Sequence, residues 1–253
     1  MEKNNKKRNL LILASLIGLI VLIIVCILLF TSSDDTYTIK GKLKNGKDKY
    51  LVLLESTGEN PLVVDTLFLD SKGRFSKKEK LKEPSLFILQ ADNDFITLCP
   101  SPKEKIKIEG DFDKFSLTYK VEGSKESENL HSLAERQIKI GEVFQKFQQD
   151  YDNANPEQRK FLVKEMRMRF SQMMKEEQKF LKTYIAENKG SLTTLVALYT
   201  EIAGQPLFSF GYDGELYKQV LEGLQRTMPQ NKHTLNLQNF VEHLQAAEQN
   251  KED

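Results

Sequence analysis

VEGSKESENL, residues 121–130, marks the point at which the spacing of apolar residues along the chain changes. Before this stretch, apolar and polar residues alternate in short runs, which is the pattern of half-buried β-strands. After it, apolar residues recur every three or four positions, as they do in amphipathic helices. The stretch therefore divides the chain into a predicted β-sandwich module at 36–123 and a predicted helical module at 124–250.

Eight short runs precede the change of spacing, at intervals of roughly ten residues. Asn45-Gly46 and Asp92-Asn93 lie between successive runs and predict hairpin turns, because these residues tolerate a positive φ. Gly73 is placed for a third turn. This spacing predicts an antiparallel β-sandwich, since each sheet must bury one face against the other. The runs are YTIKGKL, YLVLLE, LVVDTLFL, RFSKKEK, SLFILQA, FITLC, KIKIEG and SLTYKVEG.

Two long helices are predicted next, with apolar stripes over residues 130–151 and 162–184. Asn155 is a favourable N-cap for the second helix, Pro156 suits its first turn, and Gln158 completes a capping box. Because the connection is short, we expect the two helices to pack antiparallel.

Three further helices are predicted, one capped by Ser191, one capped by Asp213 and a last one that begins near Thr234. The predicted fold class is therefore α+β. It comprises an N-terminal transmembrane helix, an antiparallel β-sandwich of about eight strands and a helical module of about five helices.

The transmembrane prediction rests on LLILASLIGLIVLIIVCILLF, residues 10–30, which carries no charge. As a helix this run spans about 31 Å, which matches a hydrocarbon core of roughly 30 Å. It is longer than the apolar region of a secretory signal and lacks the small residues of a cleavage site. We therefore predict an uncleaved anchor at 10–30.

Two alternatives to an uncleaved anchor involve the end of this run. Cys26 as a lipid-attachment site requires a small preceding residue, whereas residue 25 is Val25. Cleavage near Ser32 or Ser33 would release the rest of the chain. The anchor is the preferred interpretation of the three.

The flanking charges predict the orientation of the anchor. Residues 1–9 contain four basic side chains, and Asp34 and Asp35 follow the run. Positive flanks stay in the cytoplasm. We therefore expect a single-pass protein of the cytoplasmic membrane, with a cytoplasmic basic segment at 1–9 and the bulk of the chain outside.

Composition excludes some classes of function. The whole chain has 37 basic and 36 acidic residues, and leaving out the first nine residues gives 33 and 35. This balance predicts no nucleic-acid partner. With Cys26 in the membrane, Cys99 would be the single cysteine outside it, so no internal disulfide is expected there.

The strand series that ends in FITLCPSPKEKIKIEGDF and YKVEGSKESENL, followed by NKGSLTTLVALYTEI and HTLNLQNFVEHLQ, resembles the domain of unknown function 4369 family. The resemblance covers roughly residues 37–245. It implies a module of the envelope of diderm bacteria, usually the N-terminal part of anchored thioredoxin-like (AhpC/TSA-type) disulfide interchange proteins. The bulk of this chain would then face the periplasm.

The chain departs from that family in its redox chemistry. The relatives carry a tryptophan-flanked C-x-x-C, whereas this sequence contains no tryptophan and no C-x-x-C. No catalytic residue of the family therefore carries over. We expect an accessory module without the thioredoxin domain, and a remnant of a frameshifted longer protein is an open alternative.

Other residue types that could carry chemistry lack the spacing that the chemistry requires. The three histidines, His131, His233 and His243, form no zinc-like pair. The acidic pairs at 92–94 and 111–113 lack the glycine and glutamate of a calcium loop. FSFGYDGEL does not follow a strand in a βαβ unit, so a phosphate cradle is not predicted, and the Phe and Met stripes are interpreted as core with a ligand groove as the alternative.

Cys99 is the one candidate reactive thiol. It ends an apolar run just before Pro100, where a buried and inert thiol is the preferred interpretation. We therefore predict a non-enzymatic protein without cofactor or metal, with a binding or scaffolding role and a thioredoxin-like or other envelope protein as the candidate partner. The alternative is the non-catalytic half of a split thiol-disulfide interchange system.

Overall fold

Two four-stranded β-sheets make up the first half of the computed structural model, which describes residues 35–58 and 60–252. The strands are β1 (Thr36–Lys44), β2 (Tyr50–Glu55), β3 (Leu62–Phe68), β4 (Arg74–Lys80), β5 (Phe87–Ala91), β6 (Asp94–Leu98), β7 (Lys105–Asp111) and β8 (Lys120–Glu122). The first sheet has the order β4-β1-β7-β8 and the second sheet has the order β3-β2-β5-β6.

Alternating side chains from both sheets form the first hydrophobic core. Tyr37 and Ile39 of β1 and Leu53 and Leu89 of the second sheet are at most 2% exposed and belong to one cluster. Full burial of an aliphatic side chain stabilises the fold by about 1.5–3 kcal/mol relative to exposure. The period-two pattern therefore decides which side of each strand is buried.

The predicted antiparallel sandwich is wrong, because the first sheet is mixed. Strand β1 pairs with β4 in antiparallel orientation but with β7 in parallel orientation, with Ile39 opposite Ile106. Alternation of apolar residues is the same in both kinds of ladder when one face is buried. The sequence pattern therefore could not distinguish them.

The predicted hairpin at Asn45-Gly46 is also wrong. Strands β1 and β2 lie in different sheets, so the turn connects the two layers and does not close one ladder. Asn45 adopts a φ of 56° and its side-chain amide donates to the Asp111 carboxylate at 3.0 Å. At Asp92-Asn93 the hairpin prediction is confirmed, since Ala91 pairs with Asp94 between β5 and β6.

The predicted transmembrane helix at 10–30 lies outside the described residues. Within the part of the chain that the structure describes, no helix combines the length and the apolar character needed to cross a membrane. The fold class is corrected to one mixed sheet and one antiparallel sheet, followed by helices.

The second half of the chain is mainly helical. A short 3₁₀ turn (Phe112–Lys114) precedes the first helix, and a two-residue hairpin interrupts the later ones. The elements are α1 (Phe115–Thr118), α2 (Lys125–Asn153), α3 (Pro156–Glu187), α4 (Thr193–Leu198), β9 (Glu201–Ile202), β10 (Gln205–Pro206), α5 (Phe210–Thr227) and α6 (Lys232–Glu252).

Helices α2 and α3 form the predicted antiparallel pair. The capping box at Asn155 is confirmed, since its side chain accepts from the Gln158 amide at 3.0 Å and Gln158 accepts in return from the Asn155 amide. Phe144 and Phe170 meet at 6.0 Å between ring centroids. Arg136 of α2 also forms an ion pair with Glu177 of α3.

Four local predictions differ from the structure. The turn predicted at Gly73 does not close a hairpin, because β3 and β4 lie in different sheets. The helix expected to follow Ser191 ends at Leu198, because the next residues form the hairpin β9–β10. Helix α5 starts at Phe210, earlier than predicted, and Asp213 is a non-helical residue at a kink, with φ −120° and ψ 25°, from which the predicted helix continues. The last predicted strand is short, because residues 115–118 are helical.

The second hydrophobic core joins the two halves. It consists mainly of helical side chains but includes Leu86 and Cys99 from the β half. The backbone of Cys99 is held by α2, since its amide donates to Ser127 Oγ at 3.0 Å and its carbonyl accepts from Ser124 Oγ at 3.2 Å. The residues from Thr36 onward consequently form one compact unit.

Candidate functional site

Cys99 lies directly after β6 and has no exposed surface. Burial, reinforced by Glu126 and Glu104, raises the pKa of its thiol. A thiol needs thiolate character and access to react. The position therefore supports the inert interpretation of Cys99.

We expect maleimide to leave Cys99 unmodified in the folded protein. In a Cys26→Ser variant, labelling at neutral pH should be slow under native conditions and fast in denaturant, because only unfolding exposes the thiol. The measurement is the increase in mass after timed exposure to maleimide. Rapid labelling of the native protein would show that Cys99 is accessible.

A polar cluster connects the β half to the last helix. It consists of Glu55, Ser85, Asn231, Lys232 and His233, and we call it the junction cluster. Ser85 Oγ donates to Glu55 at 2.8 Å and lies 3.2 Å from His233 Nε2. Lys232 Nζ lies 2.5 Å from Glu55 Oε1, and the Asn231 amide donates to the Pro84 carbonyl at 2.8 Å.

The junction cluster contains the residue types of a serine hydrolase but not their geometry. In a catalytic triad, one ring nitrogen of the histidine accepts the serine proton. The other ring nitrogen donates to the carboxylate, which orients the ring. Here Glu55 contacts Ser85, and the Leu86 amide donates to His233 Nε2 at 3.4 Å. Over residues 35–58 and 60–252, no hydrogen bond reaches His233 Nδ1. The arrangement therefore supports a structural link and not nucleophilic catalysis.

Burial, together with the neighbouring Lys232, lowers the pKa of His233 to about 4, and Glu55 acts in the opposite direction. The folded pKa lies below the ordinary value of about 6.5, so the unfolded chain binds the proton first. Neutral His233 contributes its full share of the unfolding free energy above about pH 6.5, and this contribution is lost as the pH falls toward 4.

We expect this single group to remove about 2 kcal/mol of unfolding free energy between pH 7.5 and pH 5. The measurement is urea unfolding of the wild type and of His233→Gln across that range. Because other groups contribute equally to both proteins, the difference in slope isolates His233. Parallel pH profiles would contradict the assignment.

A cleft of about 740 Å³ opens beside the junction cluster. We call it the aromatic cleft, because Tyr199 and Phe240 line it while remaining 50% and 40% exposed. Leu195 and Leu237 are also in its lining, and residues 56–58 of the β2–β3 connection form the opposite side. The cleft is therefore shared by the β half and the helical half.

The rings of the cleft are positioned by an aromatic cluster. Phe240 stacks on Tyr217 at 5.8 Å between centroids and meets Tyr199 edge-on at 6.4 Å. Phe210 also contacts Tyr217, at 5.6 Å. Edge and offset contacts of this kind favour a fixed ring geometry. The exposed rings are thus held in place without a ligand.

The polar groups of the cleft are amides and a histidine. Asn236 donates to the Thr57 carbonyl at 2.6 Å and so fixes the β2–β3 connection against α6. Asn239 is exposed beside Phe240. The lining contains no Asp, Glu, Lys or Arg among the described residues. Such a surface suits a neutral, apolar group with a few hydrogen-bonding atoms.

The remaining predicted candidates lie apart from the cleft or have structural partners. His131 Nε2 lies 2.8 Å from the Tyr119 carbonyl, and His243 Nδ1 lies 2.7 Å from the Asn239 carbonyl. Asp111 accepts from Asn45 and from the amide of Asp113. In the described part of the chain, no group of three or more His, Cys, Asp or Glu side chains could hold a metal ion.

The glycine-containing segment FSFGYDGEL and the aromatic stripes also have defined positions. The segment spans the start of α5 and borders a separate surface hollow of about 770 Å³, where Tyr212 is 95% exposed. Phe144 and Phe170 of the long helices pack against the second core.

Sequence reasoning missed both the junction cluster and the aromatic cleft. Ser85 and His233 are 148 residues apart, and Leu195 and Asn236 reach the same cleft from different helices. No motif spacing links such positions. The sequence offers only a weak signal, the apolar residues and two asparagines of TLNLQNFVEHLQ.

Comparisons with known proteins give a family and a distant structural likeness. No curated protein matches the chain. The crystal structure of (S)-allantoin synthase is similar at 12% identity and a TM-score of 0.26, over 37% of this chain and 45% of that chain, less than half of its length. A TM-score this low does not indicate a shared fold.

The family model described as Domain of unknown function (DUF4369) matches residues 37–130. The match covers the two sheets and the first turns of α2. The predicted family resemblance is confirmed over this range. Residues 37–130 of the chain are a domain of the DUF4369 family.

Proposed function

We propose that the protein is a membrane-anchored, periplasm-facing accessory protein of the cell envelope with a binding or scaffolding role and no catalytic activity of its own. The observation that carries the proposal is the aromatic cleft, whose exposed Tyr199 and Phe240 are held in place by their neighbours. Exposed aromatic side chains that are already ordered are typical anchors of binding sites. The uncharged apolar run at residues 10–30, which as a helix would be long enough to cross a bilayer, is the sequence feature that supports the location.

The occupant that we propose is an apolar segment of another envelope protein. The cleft lining carries no charged side chain among the described residues, and Asn239 offers an amide at its rim. Apolar peptide side chains flanked by backbone amides match this combination. The partner class thus follows from the lining and not from a resemblance.

The redox alternative has less support. It needs either an accessible Cys99 or a separate thioredoxin-like protein docked on the helices. The thiol of Cys99 is buried, and its pKa is raised by burial. A docked thioredoxin-like protein would be identified by the experiment below as the occupant of the cleft.

The test is photocrosslinking in cells from a benzoylphenylalanine at Asn239, compared with the same residue at Tyr212. Light-dependent adducts are expected from Asn239. Phe240→Ala should reduce their yield by about tenfold or more, since aromatic anchors commonly contribute at least 2 kcal/mol to binding. Unchanged adducts with Phe240→Ala, in a protein that still folds, would contradict binding in the cleft.

A further inference from the structure

The outer face of the first sheet carries a concentration of basic side chains. Alternation along β1, β4 and β7 places their apolar residues in the core and leaves the intervening residues exposed. We define the basic face by Lys40, Lys42, Arg74, Lys80, Lys105 and Lys107, all of which are exposed. The near-neutral net charge of the whole chain gives no indication of this clustering.

The strand register places like charges next to each other on this face. Lys40 pairs with Lys107 across the parallel ladder, and Lys42 pairs with Arg74 across the antiparallel one. Neighbouring strands are only about 4.8 Å apart, and like charges directly opposite one another are destabilising. An anionic partner would relieve this repulsion.

Carboxylates neutralise the basic face only in part. Glu109 pairs with Lys107 at 2.8 Å, and Asp70 pairs with Arg74 at 2.7 Å. Within the described residues, Lys40 and Lys42 form no ion pair, although Lys42 lies opposite Glu109 in the ladder. The centre of the face therefore keeps an excess of positive charge.

A shallow depression of about 530 Å³ lies on the basic face. Four cations and two carboxylates line it together with Phe68, which is 76% exposed: Lys40, Lys42, Arg74, Lys107, Asp70 and Glu109. Cations beside an exposed ring suit a group with a negative head and an adjoining apolar part. An amphipathic lipid with an anionic headgroup has this chemistry. Aromatic rings and long cationic side chains also favour the membrane interface.

The position of the chain's apolar run provides a second argument, which rests on the anchor of the proposed function. Residues 31–35 alone separate that run from Thr36, the first residue of β1, and Thr36 pairs with Lys80. Five extended residues reach at most about 17 Å. An anchored domain would thus keep its basic residues close to the lipid headgroups.

We propose that the basic face binds the anionic headgroup surface of the bilayer that holds the anchor, so that the domain lies on the membrane. Phosphate groups of the lipids contact Lys40, Lys42 and Lys107, and Phe68 enters the interface. The aromatic cleft is a separate surface, where the β half meets the helical half. Membrane contact therefore fixes the orientation in which the cleft is presented.

The test uses the full chain with Cys26→Ser and a single fluorophore attached at Ser76→Cys, which pairs with Lys40 on this face. The protein is reconstituted in phosphatidylcholine vesicles with about one-third phosphatidylglycerol and a headgroup-attached quencher. The matched control carries the fluorophore at Asn93→Cys, an exposed turn residue of the second sheet. We expect quenching at Ser76 to exceed quenching at Asn93.

Charge reversal gives the decisive comparison. The double variant Lys40→Glu with Lys107→Glu should lower the ratio of membrane-docked to undocked domains by on the order of tenfold or more. High salt or vesicles of pure phosphatidylcholine should have the same effect. Equal quenching at Ser76 and Asn93, or quenching that ignores charge and salt, would overturn the proposal. If the protein binds short duplex DNA more tightly than the vesicles and the DNA abolishes the quenching, the face would instead be assigned to nucleic acid.

Retention after alkaline washing separates this proposal from the proposed function. Protein that stays with the vesicles while Ser76 is unquenched overturns the basic-face assignment alone. Protein that is washed away shows that residues 10–30 are no anchor, and the membrane assignment of the face then fails with it.

Discussion

Replacing Gly123 with alanine is expected to destabilise the protein by about 3 kcal/mol, a large effect for the addition of one methyl group. Gly123 has a φ of +88°, where an L-residue is strained. A Cβ atom would also lie 2.2 Å from the Lys105 carbonyl oxygen, a backbone atom of the neighbouring strand. Relief of that overlap requires β8 to move away from β7.

The matched control is Gly141→Ala in the middle of α2, where an added Cβ meets no atom within 4 Å. Alanine there should stabilise the helix by about 0.5–1 kcal/mol. Urea unfolding of both variants gives the comparison. Equal stabilities would show that the junction between the sheets and the helices tolerates a different backbone.

The second large effect is expected for Arg136→Ala. Glu177 is 1% exposed and forms its ion pair with Arg136, whose guanidinium also lies 4.1 Å from the Phe180 ring centroid. Removing the cation leaves the Glu177 carboxylate buried, and among the described residues its one remaining side-chain hydrogen bond is the 3.4 Å contact from Gln137. Breaking a buried pair in this way typically costs about 3–5 kcal/mol.

Addition of Glu177→Gln to Arg136→Ala should recover most of that loss, because no buried charge remains. Thermal unfolding of the wild type, the single variant and the double variant measures this recovery. Failure of Glu177→Gln to recover stability would mean that the loss comes from packing on Phe180.

Sequence patterns predicted the local structure of the chain better than its topology. The capping box at Asn155 and the turn at Asp92 depend on neighbours within a few residues, and both formed as expected. The pairing of β1 with β7 joins residues about 67 positions apart, with Ile39 opposite Ile106. Alternation defines the buried face of a strand but not its partner.

The candidate sites were harder to predict for the same reason. The aromatic cleft depends on how α4 and α6 meet the β2–β3 connection, which brings Tyr199 and Asn236 to one place. The basic face depends on register, because Lys40 and Lys107 become neighbours only when β1 and β7 pair. The sequence gives the net charge of the chain, but net charge reveals neither the aromatic cleft nor the basic face.

The junction cluster links the family domain to the remainder of the chain. Ser85 precedes β5 within residues 37–130, whereas His233 lies at the start of α6. Asn236 adds a hydrogen bond to the Thr57 carbonyl. The aromatic cleft therefore requires both the family domain and the helices that follow it.

Hydroxyl-radical footprinting tests the binding role most directly, by comparing native envelope membranes with the purified protein in lipid vesicles. If the cleft is occupied in the envelope, oxidation of Tyr199 and Phe240 should fall several-fold in the native membranes, as expected for buried anchor residues. Oxidation of Tyr212, which is 95% exposed outside the cleft, should stay the same. Equal oxidation of Tyr199 and Phe240 in both preparations would contradict the proposed binding role.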